Sequence, residues 1–195
     1  NELKDNDVKS FVNDSMVQIK YMSKTLSDFR NFLKPSTKKV LFSISKALNE
    51  INEIIGKQVF YSNINMNFNY KNKNEELLIY GYENEFKQVL LNIINNAKNK
   101  IVEKNLPLNK KGEININIQR CENCNMIEII DDAGAIDEKI INSIFEPYFT
   151  TKENGMGLGL YMAKIIIEDK MKGTISVRND KNCVIFTIKL PFKKA

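Results

Sequence analysis

Asn92 and Asn96 stand four residues apart, in a stretch where Phe86, Val89, Leu90, Ile93, Ile94 and Ala97 recur at spacings of three and four. That period puts the apolar set on one helix face and stacks the two carboxamides one turn apart beside it. Asn competes with the backbone for hydrogen bonds and is a poor helix former, so two on one stripe ask for a reason. A carboxamide oxygen is a neutral, hard ligand suited to Mg²⁺, which keeps most of its waters and takes few protein ligands. An Asn-rich surface is the other reading, because Asn is frequent throughout the chain.

Two further groups carry chemistry. In DDAGAI (131–136), Asp131 closes an apolar strand pattern and small residues follow it. A carboxylate at a strand end, inside a tight pocket, can accept a hydrogen bond from an exocyclic amine. Such a charge-assisted bond is worth roughly 1.5–3 kcal/mol. A solvated acidic loop is the alternative. In GMGLGL (155–160), three glycines alternate and a helix begins inside the run. Glycine lets backbone approach a ligand closely, and a helix N-terminus offers free N–H groups and a positive dipole. That suits a polyphosphate, although the run matches neither the Walker A loop nor the dinucleotide fingerprint and is also compatible with a glycine-rich turn.

These groups need elements to hold them. Residues 83–100 form the Asn-bearing helix, which ends near Asn105 with Pro107 beyond. Ile114, Ile116 and Ile118 alternate with polar residues, so 113–119 is a strand. Residues 126–130 make a second strand, joined to it by a turn at 122–125. Residues 137–144 read as a short helix, 145–157 as a long irregular loop, 158–170 as a helix, and 174–178 with 184–190 as a closing hairpin. Upstream, 39–42 reads as a strand. Residues 45–55 read as a helix with Leu48, Ile51, Ile54 and Ile55 inward and Gly56 as C-cap. Residues 58–63 and 76–80 read as strands separated by the polar stretch 67–74. Paired strands with helices between them predict an α+β two-layer sandwich, a mixed and mainly antiparallel sheet with helices on one face. Ahead of it, Val8, Val12, Ile19, Met22, Leu26, Phe29 and Leu33 trace a heptad seam, interrupted by Ser15, along one long helix over 5–33. Lys34-Pro35 ends that helix. The expected division is an appendage at 1–35 and a compact domain at 36–195.

Composition narrows the function. The 195 residues suit one sizeable domain plus an appendage, and 43% hydrophobic with 27% charged residues is ordinary for a soluble globular chain. The net charge of +5 comes from scattered lysines, which argues against nucleic acid as partner. No apolar run is long enough to span a membrane and no signal peptide opens the chain. It begins at Asn1 rather than Met, ahead of a helical pattern, and reads as an excised piece. Three cysteines, Cys121, Cys124 and Cys183, fit a reducing compartment. Cys121 and Cys124 form a CxxC, but with one further Cys and no His a four-ligand Cys/His zinc site within the chain is excluded; a hairpin turn is the simpler account. The absence of His also removes Ser-His and Cys-His nucleophilic catalysis and every His base within the chain.

The order of the motifs is distinctive. NIINNA (92–97), DDAGA (131–135), IFEPYF (144–149) and GMGLG (155–159) resemble, in that order, the N box, first glycine motif, F box and second glycine motif of the ATP-binding catalytic domain of bacterial sensor histidine kinases. That domain shares its superfamily with type II topoisomerases, mismatch-repair ATPases and heat-shock chaperones. The resemblance runs from about residue 38 to 192. It extends to MSKTLSDFRNFLKP (22–35), which is similar to the second helix of the family's dimerisation and phosphotransfer hairpin.

The resemblance implies a set of roles. Asn96 would coordinate Mg²⁺ bridging the phosphates of ATP, and Asn92 would support the same region. Asp131 would select adenine through its N6 amine, flanked by Ala133, Ala135 and Ile136. Gly155, Gly157, Leu158 and Gly159 would wrap the phosphates, Phe145 and Phe149 would anchor a mobile lid, and Lys152 would contact phosphate. The implied activity is transfer of the ATP γ-phosphate to a histidine upstream of this chain, for relay to a response-regulator receiver domain. Homodimerisation would run through the helical hairpin, the location would be cytoplasmic, and any membrane contact would come from other regions. The competing reading is an ATP-binding, anti-sigma-like regulatory module that acts by docking. Ala133 and Ala135 stand where the family usually has Gly, and are compatible with it only if neither needs a positive φ. Met156 replaces the usual hydroxyl residue, and Asn99 stands where relatives often carry a charge.

Overall fold

Alternation builds the sheet. Along β4 (Gly112–Arg120) Ile114, Ile116 and Ile118 are fully buried, and along β5 (Cys124–Asp131) Ile127 and Ile129 are too. Period two then carries Asp131, the last residue of β5, to the same buried face. The computed structural model describes residues 36–71, 75–107, 109–152 and 155–192, with Val12, Ser15, Met16 and Ile19 from the N-terminal stretch.

The chain divides into two units, Asn1–Lys34 and Pro35–Ala195. In the first, the four described residues are helical, and Val12, Met16 and Ile19 are exposed. The rest of the heptad seam and the Lys34-Pro35 stop lie outside the described residues.

In the second unit β1 (Val40–Ser43) pairs antiparallel with β3 (Leu78–Gly81) as a two-stranded sheet. The main sheet has the order β2-β4-β5-β7-β6, with β2 (Ile64–Tyr70), β6 (Thr174–Asp180) and β7 (Cys183–Pro191) joining β4 and β5. Only β2 and β4 run parallel; the other pairs are antiparallel. Asn125, fully buried on β5, donates its amide to the Leu78 carbonyl at 2.9 Å and ties the sheets together. Away from the helices, Asn67 and Asn69 on β2 donate to Asn115 and Asn117 on β4, both at 3.0 Å. The α+β mixed-sheet expectation holds.

Three helical elements pack on the sheet: α1 (Ile44–Tyr61), α2 (Glu83–Glu103) and α3 (Gly159–Lys164), which runs on as π-helix over Ile165–Lys170. Ser43 caps α1 by accepting from the Lys46 N–H. The predicted apolar face of α2 is buried throughout, and Phe86 meets Phe42 of β1 with ring centroids 5.4 Å apart. Buried Glu85 accepts the Ser36 N–H at 3.2 Å, and buried Lys87 donates to Glu50 of α1 at 2.7 Å. The site-bearing helix is thus fixed at its N-terminus and along its flank. Among the described residues, no helix is long and apolar enough to cross a membrane.

Three expectations about elements change. Residues 58–61 continue α1 rather than opening a strand, and Gly56 lies inside the helix rather than capping it. Val59, four residues after Ile55 and eight after Ile51, shares their buried face, so burial overrides the local glycine. The break comes at Asn63, with φ 59°. The strand that follows is β2, whose Ile64, Met66, Phe68 and Tyr70 alternate with asparagines in a stretch read partly as polar connection. Residues 137–144 hold only a 3₁₀ turn, Ile141–Ser143. There Asp137 Oδ1 accepts from the Lys139 N–H at 2.9 Å, and backbone bonds such as Ser143 to Ile140 span three residues. The Asp side chain competes for the backbone and tightens the turn.

Candidate functional site

A cavity of about 560 Å³ opens between α2, the end of β5, the 133–157 segment and the start of α3. Its walls include Asn92, Asn96, Lys152, Asp131, Ala133, Ala135, Ile136, Phe149, Gly155, Gly157, Leu158 and Gly159. Of the residues given a site role from sequence, Phe145 alone stays outside. It packs edge-to-face on Phe186 of β7, with centroids 6.3 Å apart, and Phe186 is itself a wall residue. Phe145 therefore braces the wall from behind.

At one end Asp131 lies between Ile114 and Val184 in the strand register and is buried. One carboxylate oxygen accepts the Ala133 N–H at 3.1 Å. Burial pushes its pKa up to about 6; the Ala133 bond and Lys104 oppose the rise, and neighbouring Asp132 adds to it. A carboxylate kept charged against that cost suits a ligand that brings a hydrogen-bond donor. Gly134, not its neighbours, takes the left-handed conformation here, with φ 107°, so Ala133 and Ala135 carry methyls without strain. Asn179 of β6 clips the next residue in place. It accepts the Ile136 N–H at 2.9 Å and donates to the Ile136 carbonyl at 2.8 Å.

At the other end Asn92 lies under the start of α3. A Cβ on Gly159 would come within 2.5 Å of Asn92 Oδ1, so only glycine lets helix and carboxamide meet this closely. Among the described residues, no group accepts from the buried Asn92 Nδ2 atom. A buried donor left unmade is costly unless a ligand completes it, and anionic oxygens are its natural complement. Among the described residues no side chain caps the N-terminus of α3, so its first-turn N–H groups add to this positive end. One turn after Asn92, Asn96 Oδ1 accepts the Lys152 ammonium at 2.9 Å. Its carbonyl oxygen thus already faces a cation.

Gly157 has φ 65°, and a Cβ there would strike the Tyr148 backbone. Gly157→Ala is expected to misplace the segment and weaken ligand binding in the cavity by about tenfold, since an L-residue in this region loses about 1–2 kcal/mol before any clash. A binding titration measures it, and wild-type affinity would rule this conformation out of the bound state.

Several wall residues were not singled out from sequence. Lys100, four residues beyond Asn96 on the same face, lines the cavity and pairs with Glu103 at 2.7 Å. Continuing the Asn92–Asn96 spacing by one turn would have found it. Val184, Phe186 and the clip residue Asn179 carry no local signal; they arrive through the pairing of β5, β7 and β6.

The family model for histidine kinase-, DNA gyrase B- and HSP90-like ATPases matches residues 81–194, more than half of the chain. The chain belongs to this ATPase family. Among curated proteins it is similar to sporulation kinase A of Bacillus subtilis, 30% identical over 171 residues covering 86% of this chain and 27% of that protein. Sporulation kinase C of the same organism is 25% identical over 191 residues, 96% of this chain and 42% of that one. The chain therefore spans less than half the length of these relatives. Among solved structures, the nucleotide-free catalytic domain of the histidine kinase ThkA superposes with TM-score 0.67 at 28% identity, over 80% of this chain and 96% of that one. ThkA in complex with the response regulator TrrA superposes with TM-score 0.66 at 22% identity, over 99% of this chain and 53% of that one.

Membership of the ATPase family makes ATP the ligand of this domain, and a cavity of about 560 Å³ is of the size such ligands need. Mg²⁺ fits the donor set. Among the described residues no group of three or more His, Cys, Asp or Glu side chains could hold a metal alone. A single carboxamide beside a polyphosphate pocket matches an ion bound through one or two protein ligands and substrate phosphates.

Proposed function

We propose that this chain is the ATP-binding catalytic module of a sensor histidine kinase, donating the γ-phosphoryl group of Mg-ATP to a histidine outside these 195 residues. The observation that carries the reading is one cavity joining a buried carboxylate, a carboxamide facing a cation and a glycine-bearing helix start. Asp131 accepts from the adenine amine, Asn92 donates to phosphate oxygen, and Gly155, Gly157 and Gly159 admit backbone close to the phosphates. Asn96 would hold Mg²⁺ together with phosphate oxygens, and the ion supplies charge neutralisation. What remains for the protein is positioning and electrostatics, as in other phosphoryl transfers.

The acceptor lies elsewhere because the chain contains no histidine. Residues 1–35 serve as the second helix of the dimerisation and phosphotransfer hairpin, pairing with a second copy along the apolar seam. Phosphate passes on to a receiver domain; the ThkA complex with TrrA supports that partner. ATP as substrate puts this part of the protein in the cytoplasm.

Calorimetry with Mg-ATP and Mg-GTP tests the reading. ATP should bind at least about tenfold more tightly, because guanine offers Asp131 a carbonyl where adenine offers an amine. Equal affinities would overturn the adenine assignment.

A further inference from the structure

Lys152 makes an unusual choice of partner. Its ammonium reaches across from the 133–157 segment to a neutral carboxamide, Asn96 Oδ1, at 2.9 Å, and among the described residues no carboxylate pairs with it. The backbone holds it for this. The Lys152 N–H donates to Thr150 Oγ1 at 3.1 Å, and its carbonyl accepts the Gly155 N–H at 3.1 Å. The same loop bends so closely that Gly157 lies against the Tyr148 backbone. A self-bonded loop is thus tied to α2 through one cation on one oxygen.

That oxygen is the one the nucleotide reading assigns to the metal. A Mg²⁺ ion at about 2.1 Å from it would lie within about 5 Å of an ammonium still bonded at 2.9 Å, with like charge. A polyphosphate is also a better partner for the ammonium than a neutral amide, because its bonds are charge-assisted on both sides. We infer that Lys152 is a resident substitute for the metal ion. In the nucleotide-free domain its ammonium occupies Asn96 and latches the loop onto α2; arriving Mg-ATP takes Asn96 and transfers the ammonium to a phosphate. The latch therefore holds Lys152 against α2 and keeps Asn96 oriented before the ligand arrives. This inference rests on the nucleotide reading above.

Hydrogen exchange over residues 145–160 of the whole chain tests it, with and without Mg-ATP, in the wild type, Lys152→Met, Lys152→Arg, Asn96→Ala and the double variant Asn96→Ala/Lys152→Met. Without nucleotide, Lys152→Met and Asn96→Ala should each exchange about tenfold faster, the loss of one charge-assisted bond. The double variant should be no faster than either, and Lys152→Arg should stay close to wild type. Unchanged exchange in nucleotide-free Lys152→Met, or additive effects in the double variant, would overturn the latch even while Mg-ATP still protects the wild type. A wild type that Mg-ATP does not protect would instead remove the nucleotide reading, and the exchange of ammonium partners with it.

Discussion

Asn96→Ala is expected to lose Mg²⁺-dependent ATP binding by about 100-fold or more, since even an outer partner of a metal ligand is worth about 10–100-fold. Asn92→Ala should lose less, about tenfold, and should show a second signature. Its amide nitrogen is buried and no group among the described residues accepts from it, so deleting it removes a donor the protein leaves unmet. Unfolding of nucleotide-free Asn92→Ala should therefore occur at or above the wild-type temperature, a residue kept for the ligand at the expense of the empty fold. Calorimetry with Mg²⁺ and with EDTA separates the two variants, because most of the Asn96→Ala deficit should disappear when no metal is present, leaving the part due to the lost Lys152 contact. Wild-type Mg-ATP affinity in Asn96→Ala would mean that the α2 carboxamides do not meet the metal.

Asp131→Asn should divide stability from binding. An acid whose folded pKa, about 6, exceeds its ordinary value of 3.8 is destabilising while charged. That cost is fully present above pH 6 and disappears as pH falls towards 4, where the folded state takes up its proton first. The nucleotide-free wild type should thus gain stability on acidification through this window, against the usual direction for a carboxylate. Asp131→Asn should abolish that dependence and stabilise the domain at pH 7 by roughly 2–3 kcal/mol. ATP binding moves oppositely. It needs the charged acceptor, so wild-type affinity should fall as pH drops through 6, and Asp131→Asn should lose roughly 1.5–3 kcal/mol at pH 7.5. Thermal unfolding and calorimetry across pH 5–8 measure both. Unchanged ATP affinity in Asp131→Asn would move the adenine away from this carboxylate.

Much of the site could be read from sequence because its parts sit on strongly periodic elements. Ile114, Ile116 and Ile118 fix one strand, the apolar face from Phe86 to Ala97 fixes α2, and alternation along β5 places Asp131 inward. Errors arose where local chemistry and burial disagreed. Gly56 suggested a stop, yet Val59 had a buried face to fill, so α1 continued for five more residues to Tyr61. The isoleucines between 136 and 144 imitate a helix, but Asp137 tightens the backbone through its side chain and only a 3₁₀ turn follows. Val184, Phe186 and Asn179 could not be found at all. Val184 and Phe186 line the cavity, and Asn179 holds Ile136 of its wall, because β7 lies between β5 and β6, a long-range pairing with no local trace. The Lys152–Asn96 bond spans 56 positions and is equally invisible before folding.

The most direct measurement of the central claim is transfer of label from γ-labelled ATP, with this chain alone and beside a histidine-bearing helix from the rest of the same protein. Acid-labile, base-stable phosphate should appear on the added helix, never on this chain, and should vanish with Asn96→Ala. Stable label on this chain alone, or undiminished transfer by Asn96→Ala, would contradict phosphoryl donation to histidine from this site.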